Sequence, residues 1–168
     1  MTGKTHLIIG LTAGLALALF TNSTVVNGLA ITAAAGVGSL VPDIDTPNST
    51  ISNKARPIRL FTFWIPHRTL THSLIVLGLV SLLSVLSVFG VAFAIGYASH
   101  IVADMSTTRG IPLFYPLWGR SLHLLPYPLR LTTGGLVESG IFLIVWIAAI
   151  GLFLKMLGVD VLTILRSI

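Results

Sequence analysis

From Leu7 to Val41 the chain carries no Asp, Glu, Lys, Arg or His, and from Ser73 to Ser99 it again carries none. A third such run extends from Ser139 to Leu154. Strands of a membrane barrel alternate lipid-facing and lumen-facing residues, so runs this continuous are not barrel strands. In lipid an unbroken segment must satisfy its own backbone N–H and C=O groups, which makes each run helical. Mean hydropathy is +0.96 and 9% of residues are charged, against about 25% in soluble domains. The expected fold is all-α: an integral membrane bundle of about five transmembrane helices, with polar loops on one face, forming a single domain over 1–168.

Breaker residues divide the runs into spans at 6–21, 25–41, 73–89, 91–105 and 136–157. Thr21-Asn22-Ser23-Thr24 is a turn cluster, Pro42 ends the second span and Gly90 is the expected turn between the third and fourth. A cation followed by an apolar run also opens signal peptides. Here the apolar character resumes at once and His6 heads the run, so the segment reads as a retained helix. The second span, rich in Gly and Ala, is expected to sit centrally, because small residues let helices approach closely in lipid. Phe61, Phe63 and Trp64 suit a loop lying at headgroup level. Pro112, Pro116, Pro126 and Pro128 exclude a long helix between the last two spans. There are no cysteines, hence neither disulfides nor thiolate ligands.

Against this apolar background the ionisable residues stand out. Four of the five acids and four of the five histidines form one dispersed set: His6, Asp43, Asp45, His67, His72, His100, Asp104 and Glu138. Following the chain back and forth puts all eight at one membrane face. His6 opens the first span, and Asp43 and Asp45 follow the second. His67 and His72 precede the third, His100 and Asp104 end the fourth, and Glu138 opens the fifth. Lys4, Lys54, Arg56, Arg59, Arg68, Arg109, Arg120 and Arg130 lie on that same side. By the positive-inside rule it is cytoplasmic, with the N-terminus inside and the C-terminus outside.

His100 and Asp104, four residues apart, stack on one helix face, a common way to present two metal ligands. The competing reading is a plain His–Asp hydrogen bond at a helix end. Asp43 and Asp45 point the same way if the backbone is extended after Pro42, and two close carboxylates repel unless a cation stands between them. A water-facing turn is the alternative for them. His67 and His72 are both ligands, or His72 is a ligand and His67 an acid/base. Either could instead be an interfacial histidine. Arg68 is placed to grip a phosphate through its guanidinium fork, or serves only as a positive-inside charge. Thr69 or Thr71 is the expected cap of the third span. His6 and Glu138 join the set through their shared face alone. His123 has apolar neighbours and is left out, and Thr132-Thr133-Gly134-Gly135 reads as an anion-binding nest or a simple turn. Imidazole and carboxylate donors together suit Zn²⁺ or Mn²⁺, as one ion or two, better than Mg²⁺ or Ca²⁺.

Thr5-His6, Val41-Pro42-Asp43-Ile44-Asp45, His67-Arg68-Thr69-Leu70-Thr71-His72-Ser73, Ser99-His100-Ile101-Val102-Ala103-Asp104 with Thr107 and Gly110, and the segment Gly134 to Glu138 together resemble the YdjM family. Its members are bacterial and archaeal inner-membrane proteins described as metal-dependent hydrolases, some under LexA control. The resemblance covers nearly the whole chain and implies a metal-dependent hydrolase. The His-x-x-x-Asp element is also similar to that of zinc-dependent phospholipase C and related nucleases. Thr46 departs from the family pattern, where many members carry His.

The expected function is hydrolysis of a phosphoester in a lipid or lipid-linked substrate at the cytoplasmic leaflet. The eight residues would hold the metal, Glu138 or His67 would act as general base, and Arg68, with Arg109 or Arg130, would steady the phosphate. No nucleic-acid partner is expected. Two rivals are a divalent-cation or proton transporter and a noncatalytic scaffold with a structural metal. A transporter wants ionisable groups at mid-membrane, whereas the spans here offer only hydroxyls such as Thr12, Thr32, Ser81 and Ser84.

Overall fold

The computed structural model describes residues 1–45 and 69–159. Among them the chain is all-helical, without a strand. Five α-helices follow one another: α1 (Gly3–Phe20), α2 (Val25–Gly38), α3 (Leu74–Ser84), α4 (Val88–Met105) and α5 (Leu136–Met156). Short 3-10 turns lie at Val41–Asp45 and Leu70–His72. The basic, aromatic stretch 46–68 lies outside the described residues, as does the tail from 160 onward.

α1, α4 and α5 are long and apolar enough to cross a membrane. α2 has 14 residues and α3 has 11, which at the usual helical rise makes them about 21 Å and about 16 Å long. Three helices therefore reach spanning length where five were expected, and both short ones have identifiable ends. α2 stops at Gly38 because Pro42 cannot continue a helix, and the chain tightens into the Val41–Asp45 turn instead. α3 stops at Ser84, and the Ser87 hydroxyl caps α4 by accepting from the Gly90 N–H at 3.0 Å. The reversal thus falls on Val85 to Ser87, and the expected turn residue Gly90 lies inside α4. The cap of α3 is Ser73, which accepts from Val76 N–H at 3.4 Å, rather than Thr69 or Thr71.

Large apolar side chains cover the outside. Leu82, Leu86 and Ile144 are 70%, 92% and 68% exposed. Large apolar side chains exposed along helices of this length and hydropathy belong against lipid rather than water. The protein is a membrane protein.

The hub is α1, which packs against α2, α4 and α5; α2 lies between α1 and α4, and α3 rests on α4 and the Leu70–His72 turn. Centrality therefore falls to the first helix rather than to the Gly- and Ala-rich second. Small residues nonetheless set the spacing. A Cβ on Gly14 of α1 would come 2.6 Å from Thr32 Cα of α2, and one on Gly96 of α4 would overlap the Ala35 carbonyl of α2. Backbone therefore meets backbone along both seams, and Ala18, Ile31, Ala35 and Ala92 fill what little space remains. This close approach brings the ends of α1, α2 and α4 together at one level.

Overpacking at such a seam costs roughly 1–3 kcal/mol. Gly96→Val should therefore lower the melting temperature of the purified protein by several degrees, whereas Gly140→Ala, whose Cβ would meet nothing within 4 Å, should leave it unchanged.

Candidate metal centre

The last turn of α4 presents His100 and Asp104 on one face, both fully buried. The 3-10 turn after α2 brings in Asp43, and the 3-10 turn before α3 brings in His72. One ligand atom from each of Asp43, His72, His100 and Asp104 lies within 4.8 Å of the other three. His72 Nε2 is 3.2 Å from His100 Nε2 and 3.7 Å from Asp104 Oδ2. His100 Nε2 is 3.7 Å from Asp43 Oδ1 and 3.8 Å from Asp104 Oδ2. Three separate segments thus contribute to one small polar volume.

Neighbouring groups aim these donors. His100 Nδ1 donates to the Ser39 carbonyl at 2.7 Å. A carbonyl oxygen only accepts, so the neutral ring keeps its proton on Nδ1 and presents a bare Nε2 to the cluster. His72 Nδ1 pairs with the Thr71 hydroxyl at 3.0 Å, which leaves its Nε2 to face inward. The Tyr97 hydroxyl donates to the Thr71 carbonyl and anchors that turn to α4. Hydrogen bonds to the second ring nitrogen are the usual way of orienting metal-binding imidazoles.

His6 stands beside the four. Its ring stacks on that of His100 with centroids 3.7 Å apart, and its Nε2 is 3.2 Å from Asp104 Oδ1. The side chain is fully buried, and Nδ1 has no hydrogen-bond partner among the described residues. The Met1 amino group also contacts Asp104 Oδ1. Asp104 therefore divides its two oxygens, Oδ1 toward α1 and Oδ2 toward the histidines.

The donor set fits a divalent cation. Two carboxylates and two imidazole nitrogens converge in a largely buried volume, and the Met1 amino group balances only one of the two negative charges, so a cation complements the set. Mixed nitrogen and carboxylate ligation suits Zn²⁺ or Mn²⁺, with no thiolate required.

Glu138 does not join the cluster. Its Oε1 accepts from the Thr2 N–H at 2.6 Å and the Thr5 hydroxyl at 2.7 Å, and its Oε2 accepts from the Gly134 N–H at 2.7 Å. Gly134 adopts a φ of 76°, which turns that N–H toward the carboxylate. The Thr132 to Gly135 segment, an anion nest or a simple turn by sequence, thus serves the chain's own glutamate, which ties α5 to the start of α1. Arg109 is exposed after α4, and the half-buried Arg130 donates to the Leu125 carbonyl within its own loop. The chain after Pro42 is not extended but forms the Val41–Asp45 3-10 turn, so Asp43 and Asp45 do not share one side of a strand; the side chain of Asp45, with His67 and Arg68, lies outside the described residues. Sequence reasoning missed Ser39, which acts through a carbonyl that any residue would carry. It also missed Tyr97, which reads as an ordinary apolar-face aromatic.

A family model described as YdjM inner membrane protein matches residues 1–163. The chain belongs to the YdjM family. A protein named "Uncharacterized protein YvsG" from Bacillus subtilis (strain 168) is 31% identical over 145 residues, covering 83% of this chain and 86% of the relative. No solved structure matches. In this YdjM protein, then, the family motifs quoted from the sequence fall into two places. Asp43 of Pro-Asp-Ile-Asp, His72 and the His100–Asp104 pair build the cluster, whereas the late Gly134–Glu138 motif builds the tie to α1.

The division is testable. Glu138→Ala leaves the Thr2 and Gly134 N–H groups without their acceptor, which costs about 1–3 kcal/mol. Its melting temperature should fall while its divalent-metal content stays that of the parent. His100→Ala should lose the metal, as measured by elemental analysis of the purified protein.

Proposed function

We propose that this protein is a metal-dependent hydrolase embedded in the membrane, acting on a phosphoester of a lipid or lipid-linked substrate at the cytoplasmic leaflet. The observation that carries the reading is the convergence of Asp43, His72, His100 and Asp104 at one end of a lipid-facing bundle, buried yet level with the loops. In this reading the four residues hold Zn²⁺ or Mn²⁺, and the whole chain works as one membrane domain. A divalent ion in such a site polarises phosphoryl oxygens and makes water a usable nucleophile near neutral pH.

The chain's own residues supply the rest. His6, stacked on His100 and in contact with Asp104, fixes the His100 ring and the Asp104 carboxylate in place, and offers a further donor if a second ion enters. His67 and Arg68 immediately precede the turn that carries His72, so proton transfer and phosphate binding fall naturally to that stretch. Arg109 and Arg130 on the following loop add positive charge at the headgroup level. Glu138 is committed to three hydrogen bonds, which moves the general-base role to His67. The concentration of Lys and Arg on the side of the site supports a cytoplasmic placement, with the N-terminus inside and the C-terminus outside.

One observation favours a second reading. Four protein donors around a single ion form a closed tetrahedral set, as in structural zinc sites, whereas catalytic zinc keeps a position for water. A scaffold with a structural metal would keep its metal through purification and turn over no phosphoester. The transporter reading is weaker. Thr12 and Thr32, polar groups along α1 and α2, bond back to the Ile8 and Gly28 carbonyls of their own helices at 2.7 Å each and mark no path through the bilayer.

Purified protein should release phosphate or headgroup from phosphatidic acid or a related lipid phosphoester in mixed micelles. The activity should vanish on chelation and return with Zn²⁺ or Mn²⁺. Asp104→Ala should lose both metal and turnover; retention of both by that variant rules the reading out. For the topology, a reporter active only in the periplasm should be active when fused at the C-terminus, and one active only in the cytoplasm should not.

A further inference from the structure

α4 and α5 both pack on α1 and leave a cleft of about 530 Å³ between them. Ala98 and Val102 form its wall on α4 and Ile141 its wall on α5. Ile9 of α1 is the floor, and Leu125 and Leu131 of the connecting loop close the end nearest the polar face. That loop is pinned in place, since Leu131 N–H donates to the Ser106 carbonyl at 3.0 Å and Leu124 N–H to the Met105 carbonyl at 2.8 Å. Two serines also line the cleft, but neither asks for a polar occupant. Ser99 Oγ donates to the Gly96 carbonyl at 2.7 Å and Ser106 Oγ to the Val102 carbonyl at 3.1 Å.

A concave apolar space with no unmet hydrogen-bonding group is a poor site for water and a good one for hydrocarbon. Its two walls belong to helices of membrane-spanning length, so its side opens where lipid tails lie. From residue 98 to residue 106 the wall runs about 12 Å along the helix axis, a depth suited to a long chain and wasted on a short one.

The cleft is also joined to the metal cluster. Met1 and Ala103 line it, the Met1 amino group contacts Asp104, and Ala103 precedes Asp104 in the chain. On α4 the 100° step sets the middle of the cleft face about 150° around the helix from His100 and Asp104, so the link between cleft and cluster runs past the helix edge through Met1.

We infer that this cleft is the acyl-chain subsite of the enzyme: it takes one long acyl chain of a membrane phospholipid, whose headgroup phosphate then lies at the Asp43–His72–His100–Asp104 cluster. The headgroup half of this statement rests on the hydrolase reading; the acyl half stands on the cleft itself. The consequence is selection by chain length, with long-chain lipids held and short-chain or water-soluble phosphoesters not.

The test uses the full-length protein in phosphatidylcholine nanodiscs, with phosphatidic acid bearing a diazirine on one long acyl chain. After illumination, the labelled residues are mapped by mass spectrometry and the metal content is measured on the same samples. Labelling should concentrate on 98–106 and around Ile141. It should fall about tenfold in Ala98→Phe and Val102→Phe, which fill the cleft, as expected for loss of roughly one buried apolar contact area. Both variants should keep their metal. Val102 is the more exposed of the two, so Val102→Phe decides the matter if Ala98→Phe misfolds. Labelling spread evenly over outward residues such as Leu82 and Ile144, and unchanged in a metal-retaining variant, overturns the acyl subsite and shows boundary lipid only. Failure of the hydrolase reading is seen separately, as parent protein that releases no phosphate from the same lipid whatever the labelling pattern.

Discussion

Asp104 is the residue on which the arrangement turns. A carboxylate buried at the end of a helix in a lipid-facing protein is costly unless its oxygens are met by donors or cations. Here Oδ1 is met by His6 and the Met1 amino group from α1, and Oδ2 faces His72 and His100. These partners come from three places in the chain. Meeting the needs of one side chain thus pins the start of α1, the turn before α3 and the end of α4 to a common level. The metal-binding capacity is a by-product of that convergence: once two imidazoles and a second carboxylate are held around Asp104, a divalent cation is the natural complement.

The convergence is possible only because the helices approach closely. Gly14 and Gly96 bring α1, α2 and α4 into backbone contact, which places the Ser39 carbonyl within 2.7 Å of His100 Nδ1. Bulky side chains at those seams would move that carbonyl away and release the ring. The opposite design appears at α5, which packs on α1 but stands off from α4. Its separation leaves the apolar cleft open to lipid, while Glu138 keeps its first turn tied to α1. One bundle therefore combines a rigid three-helix corner that holds polar ligands with a looser side that admits hydrocarbon.

Much of this could be read from the residues before any coordinates. Runs without charge implied membrane helices, and the i, i+4 spacing of His100 and Asp104 implied a shared face, because helical periodicity is local. Asp43 and His72 joined them by counting passes through the bilayer. α2 and α3 proved short, yet the turn after α2, the turn before α3 and the end of α4 still meet. Glu138 shows where the same reasoning stops. Placing a residue at the correct face does not say which neighbours will claim its oxygens, and here Thr2, Thr5 and Gly134 do so. Gly90 shows a second limit, because a serine cap three residues earlier ended the preceding turn.

The sequence by itself determined the class of environment, the helical content and the family, because each follows from composition, local periodicity or motif. Tertiary structure alone decided which ligands meet, which nitrogen of His100 is bare, that His6 stacks rather than merely neighbours, and that a cleft separates α4 from α5. Those outcomes depend on side-chain packing and backbone carbonyls between segments far apart in the chain, and neither leaves a mark on the order of residues.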